Sequence, residues 1–260
     1  EVTLNGEIIR SKDFSWNDTL LYAYNHNEVK HVSVEPALWN SRIDMVTSYP
    51  KVGNPLYGIY AYKWAGLDEK GDPQVYDAEG NITSGPTRDH NALLYCGTTI
   101  PVHNASLTNV LRYKNFEFSA LVILNVGHKL RSTDFPSINM ANGRINSTAK
   151  GIVDRWTKPG DKTDVPRLLF SNDTQNYNTH RTELYRYSDL FVYNASHIRF
   201  SNISLAYRFP EQWCKKISLS GARLQFNVEN VGIIAFDSKA HYYLGGKIKP
   251  NYVWGLYLNF

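Results

Sequence analysis

Asn251-Tyr252-Val253-Trp254-Gly255-Leu256-Tyr257-Leu258-Asn259-Phe260 alternates with a strict two-residue period. In an extended strand Tyr252, Trp254, Leu256, Leu258 and Phe260 share one face, and Val253, Gly255, Tyr257 and Asn259 share the other. The first face is large and apolar throughout, the chemistry that hydrocarbon selects. Its length matches the roughly 9–11 residues with which a tilted strand crosses a bilayer. The stretch reads as a membrane-spanning β-strand.

The same alternation recurs upstream. Phe116, Phe118, Ala120, Val122 and Leu124 form an apolar face opposite Asn115, Glu117, Ser119, Leu121, Ile123 and Asn125. Phe14, Trp16, Leu20, Tyr22 and Tyr24 form another, interrupted at Asp18. Residues 1–10, 104–113, 197–209 and 217–231 carry weaker versions, and a change of phase at Ser201-Asn202 predicts a bulge. The links Ser11-Lys12-Asp13 and Lys114-Asn115 are short and read as tight turns. Residues 26–103, 129–196 and 232–250 are long and rich in Gly, Pro, Asn and Asp. Structureless loops of that length are uncommon in a compact soluble domain, whereas outer-membrane barrels alternate short periplasmic turns with long extracellular loops.

Placing both short turns in the periplasm fixes the direction of every span. Residues 14–25, 116–128 and 217–231 run outward, and residues 104–113, 197–209 and 251–260 run inward. Residues 210–216 become a periplasmic link, Phe260 ends at the periplasmic face, and residues 59–67, which read as a strand, belong to a hairpin within an outer loop. The expected fold is all-β: an antiparallel transmembrane barrel wall of about seven strands. An odd number leaves two open edges that lipid cannot hydrate, so the expectation is a fragment, with residues 1–260 forming the carboxyl-terminal portion of a larger barrel.

Composition supports this and excludes other classes. The 260 residues have a mean hydropathy of −0.41 and no apolar run long enough for a transmembrane helix. A barrel wall, which alternates its faces, is compatible with that value. Aromatic residues make up 13%, with 18 Tyr, 11 Phe and 6 Trp, side chains that suit a membrane boundary. The net charge of +4 is scattered, without the dense basic run that nucleic acid requires. Cys96 and Cys214 are isolated and read as two unrelated thiols, and no His or Cys stands at metal-ligand spacing. No nucleophile elbow, phosphate loop or zinc-protease signature is present, so no enzyme, cofactor or metal is expected.

Several segments resemble one family. Arg155-Trp156-Thr157-Lys158-Pro159-Gly160-Asp161-Lys162-Thr163-Asp164-Val165-Pro166-Arg167-Leu168 is similar to a segment of the SusC/RagA family of TonB-linked outer-membrane transporters. Tyr113-Lys114-Asn115-Phe116 resembles the family's Tyr-Lys-Asn-Phe turn. Ile198-Arg199-Phe200-Ser201-Asn202-Ile203-Ser204-Leu205-Ala206-Tyr207, followed by Phe209-Pro210, resembles one of its strands. Tyr57-Gly58 through Ala65-Gly66-Leu67-Asp68 resembles a family loop. The family's Asn-Leu pair has no match at Asn230-Val231. The likeness runs in order along nearly the whole chain, without the family's amino-terminal plug, TonB box or earlier strands. It implies a Gram-negative, Bacteroidetes-like outer membrane and import of glycan or peptide fragments. It also implies a SusD-like surface lipoprotein as lid, and a TonB complex reached through the absent amino-terminal region.

Candidate sites follow from position. Among the loop aromatics, Trp39, Tyr57, Trp64, Tyr76, Trp156, Tyr177 and Tyr242 are candidates for ligand contact, since an aromatic plane beside Asn and Asp suits a sugar ring. The competing reading is that they pack the loops. Trp16, Tyr252, Trp254 and Phe260 read as contacts with outer-membrane lipid at its interfaces, and Arg199, Arg208 and Arg223 as lumen residues. Asp161 and Asp164 are spaced like a carboxylate pair, yet a Pro-Gly-Asp turn accounts for Asp161. Two alternatives remain: a secreted or surface carbohydrate-binding β-sandwich, which requires a closed two-sheet core, and a glycoside hydrolase, which requires two carboxylates at catalytic separation.

Overall fold

The computed structural model of the protein describes residues 1–34, 41–85, 89–140, 151–170 and 179–260. These form two units. One comprises Glu1–His26, Pro101–His128 and Asn194–Phe260, the other Asn27–Ile100 and Lys129–Tyr193.

The first unit is built on a seven-stranded sheet: β1 (Val2–Arg10), β2 (Phe14–Tyr24), β3 (His103–Tyr113), β4 (Phe116–Val126), β5 (His197–Arg208), β6 (Gly221–Ala235) and β7 (Asn251–Asn259). Neighbours in the sheet follow chain order and every pair is antiparallel. Among the described residues β1 and β7 stand at the ends of that order, and the sheet does not close.

Register turns the alternation of single strands into two chemically distinct faces, because residues directly opposite each other share a face. One rung reads Trp254, Phe226, Leu205, Phe118, Leu111, Trp16, Ile9 across all seven strands. The next rung of opposite face reads Gly255, Gln225, Ala206, Glu117, Arg112, Ser15, Arg10. The apolar face is uncovered: Leu4, Leu20, Leu107, Phe118, Leu205 and Leu224 are exposed, and Trp254 is 67% exposed. Exposure on that scale is not what a β-sandwich core provides. On the polar face Glu117 pairs with Arg112 at 2.8 Å, Arg223 at 3.1 Å and Arg208 at 3.6 Å.

The register shift falls between Phe200 and Asn202, where the phase change in the sequence placed a bulge. Asn230, in the opposing stretch of β6, holds a positive φ of 53°. Lys114 turns the chain between β3 and β4 with φ 51°, and its amide donates to the Asp13 carbonyl at 2.8 Å. The Asn115 side chain donates to the Arg208 carbonyl at 2.7 Å. The short links therefore brace one another along one end of the sheet.

Two local expectations are corrected. The stretch read as a strand over residues 217–231 becomes β6 at Gly221–Ala235, and the preceding link folds into a short helix, Glu211–Lys215. Pro210 fixes the entry to that helix, and Glu211 and Lys215 approach to 3.4 Å one turn apart. A helix this short leaves no periodic trace. Residues 59–67 do not form one hairpin. Gly58–Tyr62 pairs with Leu93–Thr98, while Trp64–Leu67 pairs with Pro73–Tyr76, which pairs with Ile82–Thr83. Two matching turns drive this meander. The Asp68 carboxylate accepts from the amides of Lys70 and Asp72, and that of Asp77 from Glu79 and Asn81. Gly71 and Gly80 supply the left-handed residues, at φ 78° and 86°.

The second unit has its own core. Tyr60, Tyr62, Val75, Leu93, Leu184 and Tyr187 form one cluster, Ile138, Tyr185 and Phe191 another, and Trp64 packs against both. The long loops are thus a folded body rather than structureless links. Arg181, on the helix Thr179–Arg186 and 3% exposed, fastens it. Its guanidinium donates to Asp72 at 3.0 Å, to the Ile138 carbonyl at 3.0 Å, to the Asn139 side chain at 2.7 Å and to the Arg167 carbonyl at 2.7 Å. Arg167 reaches the same Asp72 at 2.7 Å. Truncating Arg181 removes four hydrogen bonds at once from a buried position, so Arg181→Ala should destabilise this unit by about 3 kcal/mol. Hydrogen exchange would read this as lost protection in Pro73–Tyr76 and Thr179–Arg186, with the strands of the sheet unaffected.

Candidate functional site

A concave surface of the second unit lies between two turns. On one side runs the segment from Trp156 to Thr163. The Trp156 amide donates to the Val165 carbonyl at 2.8 Å, closing the segment into a loop. Within it Gly160 adopts φ 93° and the Asp161 carboxylate accepts from the Thr157 amide and hydroxyl at 2.8 Å and the Lys158 amide at 3.0 Å. These hydrogen bonds, led by the Thr157 amide, hold the Asp161 carboxyl below the usual carboxylate range. Asp161 is therefore a turn residue. Asp164 accepts from the Trp64 indole at 3.0 Å, so neither carboxylate of the spaced pair is arranged as an acid or a base.

On the other side stands the Asp68–Gly71 turn. The Trp156 ring lies directly on Gly71, where a Cβ would come within 2.4 Å of the indole. This close approach requires a glycine at residue 71. Between the turns opens a cleft of about 650 Å³, lined by Trp156, Asp161 and Lys162 on one side and Asp68, Glu69 and Lys70 on the other. That volume lies in the range of small-molecule sites, about 300–1,000 Å³. An indole anchored on backbone, three carboxylates and two ammonium groups offer one apolar plane together with acceptors and donors. Among the described residues no cluster of His, Cys, Asp and Glu could hold a metal ion.

The other candidates are dispersed. Trp39 and Tyr177 lie outside the described residues. Tyr57 is exposed. Trp64 is half-buried against Tyr185, with ring centroids 5.8 Å apart. Tyr76 carries the Lys63 ammonium over its ring at 4.8 Å. In the first unit Tyr242 meets Tyr243 edge-on at 5.3 Å, with Lys247 over its ring at 4.3 Å. Trp16, Tyr252 and Trp254 lie on the apolar face of the sheet, and Phe260 is 93% exposed. Arg208 and Arg223 join Glu117 on the polar face, and Arg199 donates to the Leu244 carbonyl at 2.8 Å. The sequence reading missed Asp68, Glu69, Lys70 and Lys162 as cleft residues. The repeated Asp-x-x-Gly spacing at Asp68 and Asp77 was the available signal, but it indicates turns and not the partner they face.

Both cysteines are free thiols. Burial pushes the Cys96 thiol up to about 11, and Arg131 and Lys129 only partly offset this. Against an ordinary value of 9.0, a shift to about 11 lowers the thiolate fraction at neutral pH about 100-fold. Iodoacetamide should accordingly modify Cys96 about 100-fold more slowly than a free thiol at pH 7.5, accelerating about tenfold per pH unit until the pH approaches 11. Rapid labelling at neutral pH would contradict this.

Comparison with known proteins gives the context. No protein-family model matches the chain. TonB-dependent receptor P3 of Formosa agariphila is 24% identical over 252 residues, 89% of this chain and 23% of the relative. TonB-dependent receptor SusC of Bacteroides thetaiotaomicron is 23% identical over 249 residues, 90% of this chain and 23% of the relative. Among solved structures, the RagAB peptide transporter superposes with a TM-score of 0.72 over 99% of this chain and 28% of the matched chain, at 20% identity. The chain spans about a quarter of the length of the curated relatives it matches. The antiparallel sheet thus has the fold of part of such a barrel, and the sequence is similar to that of TonB-dependent receptors. Both the receptor SusC and the RagAB structure place the likeness with receptors of the SusC/RagA type.

Proposed function

We propose that residues 1–260 form the carboxyl-terminal portion of a transmembrane β-barrel that imports large nutrients. The observation that carries this reading is the register of the sheet. The rung from Trp254 to Ile9 is apolar across all seven strands on one face, and the other face carries the charged and amide side chains of Glu117, Arg112, Arg223 and Gln225 among scattered apolar ones. Lipid satisfies the first face and a water-filled lumen the second. On this reading the braced short links lie in the periplasm and the long segments face the exterior. Trp16, Tyr252, Trp254 and Phe260 contact lipid.

The imported material enters past the outer loops. The Trp156 cleft favours a glycan: the indole stacks on the apolar face of a sugar ring, while Asp68, Glu69 and Asp161 accept from ring hydroxyls and Lys70 and Lys162 donate to ring oxygens. The solved relative is a peptide transporter, which makes a peptide the competing cargo. A SusD-like lipoprotein would act as the lid, by analogy with the two-component RagAB importer. A TonB complex, acting through polypeptide outside this chain, would move a plug.

Deletion of the full-length receptor gene should abolish growth on the cognate polysaccharide, and complementation should restore it. In the purified receptor with its lipoprotein, Trp156→Ala should weaken oligosaccharide binding roughly tenfold, about 1.4 kcal/mol. Calorimetry is the measurement. Unchanged sugar binding alongside weakened peptide binding would transfer the cleft to peptide cargo, and no change in either would remove it from the import path.

A further inference from the structure

At the short-link end of the sheet, the helix Glu211–Lys215 stands beside the apolar face without closing onto it. Between them runs a groove of about 250 Å³ lined by Phe209, Trp213, Ile217, Leu219, Leu256 and Leu258. Leu256 is opposite Leu224 and Leu258 opposite Ala222, so the groove continues the apolar face of β6 and β7. Cys214 and Leu219 are buried beneath it, whereas Trp213 and Ile217 are 56% and 68% exposed. Lys215 and Lys216, which lie between Trp213 and Ile217 in the chain, are both exposed, and Lys215 approaches Glu211 at 3.4 Å.

We propose that this groove binds the end of a phospholipid acyl chain from the periplasmic leaflet, with Trp213 at the hydrocarbon boundary and Lys216 at the phosphate. Water has no polar partners in such a groove and gains nothing by entering it. The groove opens onto a face that lipid already covers, so an acyl chain reaches it without leaving the bilayer. The indole, with an apolar body and one N–H donor, suits the boundary. A lysine one residue beyond the helix is within reach of the headgroup. The link then acts as a foot that seats the last two strands, β6 and β7, at a defined depth. The inference rests on the lipid-facing reading of the sheet given above, and Trp254 on that sheet provides the control for it.

The test uses the full-length receptor in nanodiscs of phosphatidylethanolamine and phosphatidylglycerol, with plain or brominated acyl chains. The emission of Trp213 is obtained as wild type minus Trp213→Phe, and that of Trp254 as wild type minus Trp254→Phe. Bromine should quench both by more than half, and aqueous acrylamide should leave Trp213 largely untouched. Quenching of Trp254 but not Trp213 overturns the groove alone, whereas failure at both overturns the lipid-facing reading beneath it. Native mass spectrometry of detergent-purified receptor supplies a second readout. Ile217→Glu should lower the amount of retained phospholipid, and Lys216→Glu should lower the phosphatidylglycerol share. Wild-type lipid retention in both variants overturns the proposal.

Discussion

The structure depends on the pairing register of one sheet. A strand's side chains alternate with period two, so a slip of one residue would send every apolar side chain of that strand to the polar face. The rung from Trp254 to Ile9 is the visible result of avoiding that slip at six successive interfaces. In hydrocarbon the demand is stricter than in water, because backbone groups must also find partners within the protein. Register therefore satisfies the ladder and separates the two solvents in a single arrangement. The turns protect it: Lys114 reverses the chain after β3 in the left-handed region and donates to Asp13 of the neighbouring turn, so adjacent hairpins cannot shift independently.

The second unit solves a different problem. Segments of such length lose much conformational entropy on ordering and must bury apolar surface to offset it. They do so by sharing cores: Tyr60, Tyr62, Val75 and Leu93 come from the earlier segment, and Leu184 and Tyr187 from the later one. Arg181 adds direction, since its planar fork meets a carboxylate, two carbonyls and an amide drawn from three different stretches. A body fastened this way can hold Trp156 flat on Gly71 and keep the adjoining cleft open. The aromatics divide accordingly, with Trp64 committed to packing and Trp156 both anchored and presented to the cleft.

How much of this the sequence revealed follows from the range of each interaction. β2, β4 and β7 were legible because their alternation is local and long enough to survive the single break at Asp18, and the bulge at Ser201-Asn202 because a change of phase is also local. The extra helix Glu211–Lys215 was hidden because five residues carry no period. The meander that replaced the expected hairpin was hidden because Lys63 separates two strands whose partners lie farther along, at Leu93–Thr98 and Pro73–Tyr76. The cleft was half legible. Trp156 and Asp161 stood out by residue type, but their opposition to Asp68, Glu69 and Lys70 depends on a tertiary approach that only a glycine at residue 71 permits.

One apparent flaw in the sequence pattern has its explanation in the same register. Asp18 interrupts the apolar face of β2, and its partner on β3 is Asn109, so two polar side chains fall side by side on an otherwise apolar face. Left alone, each would carry a desolvation cost there. The Trp16 indole donates to Asp18 at 2.8 Å and to Asn109 at 3.2 Å, and covers the pair with its own apolar body. The rung is completed by Gly6 on one side and Ala120 on the other, residues too small to screen the polar pair. Trp16 thus has two roles that follow from one ring: apolar surface on the uncovered face of the sheet, and a hydrogen-bonded cover that lets the face accept an aspartate without losing its apolar character.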